Sequence, residues 1–253
     1  MLQLDDSKNK MTLKDLIDIR DFIPNLSVDC TIFGFHKEKL RILLLKYHDL
    51  DLWSIPGGFV FKNENLRDAA ARVLYERTHL QNLFLDQFHT FGRIDRTENN
   101  THQILLKNKG IEVEKDHWIF QRFISVAYCS LIDYTLSETF PNALNESISW
   151  FDVEKLPNMA FDHERMVHKG LHHLRRNLDT QLVAYNLLPE KFTMMDLQKL
   201  YEIVLGEKFR RNNFQRKMLS LGTLERQEKL FDGSPNKAPY LYKFKESEIN
   251  FFD

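Results

Sequence analysis

The run Trp53-Ser54-Ile55-Pro56-Gly57-Gly58, followed by Glu64 and then by Arg72-Val73-Leu74-Tyr75-Glu76-Arg77-Thr78-His79-Leu80, decides the fold. Pro56-Gly57-Gly58 is a sharp turn, because glycine enters backbone regions closed to other residues. A helix follows. Asn65 stands at its N-cap with Asp68 in the third helical position, a carboxylate analogue of a capping box. Leu66, Ala70, Val73, Leu74 and Leu80 recur near one stripe, as an amphipathic helix requires.

Upstream, Val28-Asp29-Cys30-Thr31-Ile32-Phe33-Gly34-Phe35 and Leu40-Arg41-Ile42-Leu43-Leu44-Leu45-Lys46-Tyr47 flank the polar turn His36-Lys37-Glu38-Lys39. That pattern predicts a hairpin. A period of two puts Asp29, Thr31 and Phe33 on one face of the first strand and Val28, Cys30 and Ile32 on the other. An acid and a hydroxyl on one face either line a polar pocket or meet solvent. Residues 1–25 form an N-terminal arm, with a short helix over 13–19 ended by Pro24 and Asn25. Downstream, 99–115 is polar and reads as a loop or small hairpin insertion. Residues 118–132 read as a core strand, Ser149-Trp150-Phe151 as a last strand, and 159–178 as a long helix rich in His and Arg.

The composition changes after Asn186-Leu187-Leu188-Pro189. Thr193 is an N-cap with Asp196 in capping-box position. Met194, Leu197, Leu200, Tyr201, Val204 and Leu205 form a helical stripe that Gly206 stops. A second helix spans 211–221, and 223–230 and 240–244 read as strands around Asp232-Gly233-Ser234-Pro235-Asn236. Helix, turn, helix, hairpin is the order of a winged helix-turn-helix. Its second helix is basic and amide-rich. Phe214, Met218 and Leu221 share the face turned to the core, leaving Asn212, Gln215 and Arg216 pointing away. Asn and Gln suit adenine edges and Arg suits guanine. Arg210, Arg211 and Lys217 suit the DNA backbone, and Asn213 completes the candidate DNA-binding set. A solvated basic face is the plain alternative.

The chain has 253 residues, 43% of them hydrophobic, with 35 Lys and Arg against 36 Asp and Glu. That length is one to two domains, and the near-zero charge excludes a uniformly basic nucleic-acid coat while allowing a local basic patch. Two cysteines, Cys30 and Cys129, exclude a disulfide framework and read as small core residues of a reduced, cytoplasmic protein. No segment is a membrane span or a signal peptide. His168 and His172 stand four residues apart on the long helix, but no third metal ligand is evident, so no metal site is assigned.

The glycine-to-leucine segment from Gly58 to Leu80 resembles the Nudix box, the loop–helix–loop signature of Nudix hydrolases. Gly58, Glu64, Arg72, Leu74, Glu76 and Leu80 match at the family's spacing. Where the family carries further metal-binding glutamates, this chain has Val73 and Arg77, and its glycine is replaced by His79. Clustered carboxylates hold Mg²⁺ against a pyrophosphate. Val73 offers no ligand and Arg77 places a cation where a cation should bind. The helix then serves as scaffold, or the site has been rebuilt with other acids or as an anion site on Arg77.

With Ala160-Phe161-Asp162-His163, Asn186-Leu187-Leu188-Pro189-Glu190-Lys191-Phe192-Thr193, Leu197-Gln198-x-x-Tyr201-Glu202 and Arg211-Asn212-x-Phe214-x-x-Lys217, the whole chain resembles the Nudix-related transcriptional regulators. The resemblance implies an α+β fold: a Nudix-like α/β/α sandwich with a mixed sheet, then a C-terminal winged helix-turn-helix. It divides the chain into the arm, an effector-binding domain at 26–157, a connecting helix at 158–186 and a DNA-binding domain at 187–253. It implies a homodimer without hydrolase activity and without a cofactor, binding double-stranded operator DNA and a small-molecule effector. The effector is placed with sugars or sugar-derived metabolites, an ADP-ribose-like nucleotide being the other choice. Asp29, Thr31, Trp53, Arg93 and Asp95 are the effector candidates, because they combine hydrogen-bonding groups with an aromatic near the expected cleft. The alternatives are an active Nudix hydrolase cleaving a nucleoside diphosphate derivative, and a protein-interaction module.

Overall fold

The computed structural model describes residues 21–36, 39–97, 100–111, 113–133, 145–179, 187–230 and 238–245. The expected helix at 13–19 and the turn at 232–236 lie outside them. The strands are β1 (Phe22–His36), β2 (Lys39–Tyr47), β3 (Trp53–Ser54), β4 (Gly57–Phe61), β5 (Asp86–Phe91), β6 (Ile124–Asp133), β7 (Asn145–Asp152), β8 (Phe192–Thr193), β9 (Leu224–Lys229) and β10 (Tyr240–Phe244). The helices are α1 (Leu66–Thr78), α2 (Thr101–Asn108), α3 (His163–Arg176), α4 (Met194–Leu205) and α5 (Arg211–Ser220).

Strands β1 to β7 form one sheet in the order β3-β2-β1-β6-β5, with β4 added on β1 and β7 on β2. β1 and β6 run parallel and the other pairs antiparallel, so the sheet is mixed. The alternation of β1 sets the layers. Val28, Cys30 and Ile32 join Ala69, Ala70, Val73 and Leu74 of α1 in one apolar cluster. Phe33 joins Val167, Leu171 and Leu174 of α3 in the other. Fully burying each Val, Leu, Ile or Phe among them contributes about 1.5–3 kcal/mol. The result is an α/β/α sandwich, as the sequence predicts.

The second cluster continues through Leu178 into Phe192, Leu197, Leu200, Val204, Phe214 and Tyr242. These belong to the C-terminal unit, where β8, β10 and β9 form a three-stranded sheet beside α4 and α5. Thr193 and Asp196 make the expected reciprocal capping box, and Gly206 ends α4 with φ of 74°.

Several expectations change. Residues 101–108, read as loop or hairpin, are helix α2. Its eight residues follow Asn100 in the left-handed region, which hides the start signal. The strand expected from 118 begins at Ile124; Trp118–Phe120 is a short 3₁₀ turn whose Trp118 ring packs on Phe59 and Phe123. The helix expected from 159 begins at His163, because Phe161 has a positive φ of 53°. β1 runs back to Phe22, with an irregularity before Ser27 where Asn25 has φ of 58°. The Asn65 side chain donates to Asp68 rather than capping the backbone. Leu221, assigned to the core, is exposed.

Candidate functional site

A cavity of about 220 Å³ opens between the α3 face of the sheet and α2. Its wall combines apolar and aromatic residues, among them Phe59, Leu106, Ile119, Phe123 and Phe161, with Asp29, Tyr47, Arg77, Arg96, His102, Lys109 and His163. His102, Leu105, Leu106 and Lys109 reach it at positions i, i+3, i+4 and i+7 of α2, one helical face. Apolar walls around a few convergent polar groups are the usual make-up of a small-molecule site.

The polar groups are held from behind. Asp29 is buried and accepts from Ser125 Oγ. Burial pushes its carboxyl above the usual range, against the hydrogen bond from Ser125. A β-carbon on Gly57 would fall on Asp29 Oδ1, so that turn needs glycine for space. His163 Nδ1 accepts from the Ile55 amide at 3.3 Å, leaving Nε2 protonated and 3.6 Å from Asp29 Oδ1. Burial lowers the His163 imidazole to about 4, and that of His102 to about 4 as well, so both are neutral at pH 7. Arg96 is buried and committed to the carbonyls of Phe91 and Phe123 and to Asp162 at 3.0 Å. The Ala160–His163 stretch thereby stitches the cavity to the start of α3, since Ala160 N also donates to Trp53 O.

The box residues on α1 and in the turn before it divide sharply. Glu64 accepts from the Phe61 amide and from Arg72 Nε and Nη2, and Arg72 also reaches the Phe59 carbonyl and Glu76. These bonds clamp the loop onto the helix and hold the Glu64 carboxyl below its usual range. Val73 is buried beneath Gly58, where an added β-carbon would lie 2.9 Å from Val73 Cγ2. Arg77 faces the cavity, with Nε donating to the Gly57 carbonyl at 3.3 Å. Burial lowers its guanidinium's pKa. His79 closes α1 with a left-handed φ of 60°.

A second surface lies on α5. Arg210, Arg211, Asn212, Asn213 and Arg216 are exposed, and Gln215 is half-buried. Lys217 turns back to Asp179 at 2.9 Å and lies 5.9 Å over the Tyr201 ring. Phe214 and Met218 hold the helix down. Glu202 sets the turn before it: it accepts from Gln198, from the Phe209 amide and from Lys208. Those donors hold its carboxyl down at about 2. The Gln198 and Glu202 of the sequence motif thus shape the helix-turn-helix corner.

Helix α3 spans the interval between the two surfaces. His163 begins it at the cavity. At its other end Arg175 Nε donates to the Val204 carbonyl at 2.9 Å, and Tyr201 Oη donates to the Leu178 carbonyl at 3.0 Å.

Of the five effector candidates, Asp29 lines the cavity. Thr31 lies under α3, where a β-carbon on Gly170 would come within 2.6 Å of its hydroxyl. Trp53 is buried edge-on against Phe151 at 4.6 Å. Arg93 and Asp95 form an exposed ion pair at 2.5 Å in an adjoining recess with Arg165, which shares Arg96 and Phe161 with the cavity. The candidates omitted Arg96, His102 and Lys109. The α2 spacing was a usable signal for the last two; Arg96 had none, because only the fold turns it inward. His168 and His172 are exposed, while His173 meets Asp86 at 2.7 Å near the buried Cys129.

The chain belongs to the NUDIX domain family, whose profile matches residues 24–170. Residues 184–244 match the NrtR DNA-binding winged helix domain. A relative from Acinetobacter baylyi, named ADPR responsive transcriptional repressor NtrR, is 27% identical over 237 residues, covering 90% of this chain and 86% of that protein. The fold is also that of NrtR from Shewanella oneidensis, with a TM-score of 0.65 at 22% identity over 90% of this chain and 97% of that one. The same protein complexed with a 27mer DNA gives 0.62 at 22% identity, over 87% and 93%. Among the described residues, no helix is long and apolar enough to cross a membrane.

Proposed function

We propose that this chain is a transcriptional repressor whose winged helix binds operator DNA and whose Nudix cavity binds ADP-ribose or a close nucleotide relative, without hydrolysing it. The observation that carries this is the pairing, in one chain, of a cation-lined Nudix cavity with an exposed Arg- and Asn-bearing second helix, both joined to α3. The Acinetobacter relative, matched over most of both chains, is named for the same pair of properties. Its name and the cations in the cavity favour a nucleotide over the free sugar that the sequence reading placed first.

In this reading Asn212, Gln215 and Arg216 meet base edges, and Arg210, Arg211, Asn213 and Lys217 meet the backbone. Asp29 with Arg77, His102 and Lys109 contacts the effector, rather than Thr31, Trp53, Arg93 and Asp95. The buried Val73 and the clamped Glu64 leave the box without its carboxylate cluster, which supports a binding rather than a hydrolytic role. Two copies act together as a homodimer. Effector binding shifts α3 and with it the placement of the winged helix, provided the effector binds the DNA-incompetent form more tightly.

The test is to select a site from random double-stranded DNA, then measure the affinity of the purified protein for it by fluorescence anisotropy with and without ADP-ribose. Weaker binding with ADP-ribose is expected, with no Mg²⁺-dependent release of AMP. Unchanged affinity, or turnover of ADP-ribose, refutes the reading.

A further inference from the structure

The Nudix family implies Mg²⁺, so the first question is whether this cavity suits it. Mg²⁺ demands several hard oxygen ligands in near-octahedral geometry. Among the described residues that line the cavity, Asp29 is the one carboxylate, and Ser125 already donates to it. Glu64 is spent on Arg72 and the Phe61 amide, Glu76 on Arg72, and Val73 lies under Gly58. The residues do not fit a divalent cation.

They do fit an anion. Arg77 comes from the last turn of α1 and Lys109 from the residue that ends α2, and both line the cavity. A guanidinium offers a planar fork matched to phosphate oxygens, and an ammonium offers a mobile point charge. We propose that the cavity takes the diphosphate of its ligand on Arg77 and Lys109, with no divalent cation, the Arg77 guanidinium standing in for the metal of the ancestral box. The proposal rests on the nucleotide reading above for the rest of the ligand, not for the diphosphate itself. Burial disfavours the Arg77 cation, and partial desolvation together with the neighbouring Arg77 disfavours the more exposed Lys109, so an anion between them offsets a cost present in the folded chain. Phe59, Phe123 and Phe161 line the same cavity in ring-to-ring contact, with His102 between the last two, and give a ring system an aromatic surface.

The experiment is isothermal titration of the full chain with inorganic pyrophosphate and with ADP-ribose, each in EDTA and in Mg²⁺. Pyrophosphate binding in EDTA, within about threefold of its affinity in Mg²⁺, is expected. Losing one charge-assisted contact in Arg77→Gln should weaken it at least about tenfold. Lys109→Gln, at an exposed residue outside the apolar core, should weaken it severalfold and covers the case in which Arg77→Gln fails to fold. Pyrophosphate binding that requires Mg²⁺, that is absent in both conditions, or that is unmoved in the folded variants overturns the proposal. Pyrophosphate bound without ADP-ribose would sink the nucleotide reading and leave the anion site standing. ADP-ribose bound only with Mg²⁺ would do the reverse.

Discussion

Two helices of this molecule present arginine in opposite surroundings. On α1, Arg77 lines a walled cavity with the buried Asp29 and two neutral imidazoles. On α5, Arg210, Arg211 and Arg216 stand in solvent on a helix pinned by two apolar side chains. Burial makes a charge selective, since it attracts what can enter and is screened little by salt. Exposure makes it long-ranged and salt-sensitive. In the proposed function one residue type thereby serves a compact ligand at one end and a polyanion at the other.

The largest expected effect breaks the outer half of this contrast. Arg211→Glu with Arg216→Glu should lower affinity for the selected DNA at least about a hundredfold, with ADP-ribose binding unchanged. The wild type should itself lose about a hundredfold or more between 50 and 200 mM salt, while the cavity's affinity moves by less than about threefold. Anisotropy and calorimetry over a salt series check both, and equal slopes would erase the distinction.

The inner half is sharpened by pH. His102 and His163 ionise near 4 in the folded chain against 6.5 ordinarily. The unfolded chain binds their protons first, so their stabilisation is full above about pH 6.5 and is lost as pH falls toward 4. The slope is about 1.4 kcal/mol per pH unit for each histidine within that window. Urea titrations across it should show His102→Phe with a slope smaller than wild type by about 1.4 kcal/mol per pH unit.

A smaller effect concerns the corner that aims α5. Glu202→Ala removes the acceptor of the Phe209 amide and one acceptor each of Gln198 and Lys208, and should destabilise the C-terminal unit by about 2 kcal/mol. Its carboxyl ionises near 2, below the ordinary 4.5. Its contribution is therefore present above about pH 4.5 and fades only as pH falls toward 2, below the histidine window. Smallest is His79→Gly, which relieves a left-handed φ at the end of α1 and should raise stability by about 0.5–1 kcal/mol, read as an upward shift of the urea midpoint.

The layers were legible in the sequence because alternation and helical stripes report directly which side of an element is covered. The period of two in β1 separates Cys30, against α1, from Thr31, against α3. The capping pair Thr193–Asp196 was equally plain, since it is a local contact between residues three apart. The cavity was less so. Asp29 was found from its place on a strand face, but a face is not a depth: two residues along, Thr31 has passed under Gly170. Trp53 was named for its chemistry and is taken up by Phe151. Arg96 and Asp162 stand 66 positions apart in the chain, and no short-range pattern announces such a pair.

Helix α3 has 14 residues, about 21 Å of rise, with the cavity at one end and the winged helix at the other. One residue added within it would advance everything beyond by about 1.5 Å and turn it by about 100°. Met166, Val167, Leu171 and Leu174 would then no longer share one face. A full turn added would nearly restore the phase and only lengthen the span. The helix is in this sense a ruler graduated in turns. Descendants of this chain that reach operators with different half-site spacing are expected to differ here by three or four residues, or by none.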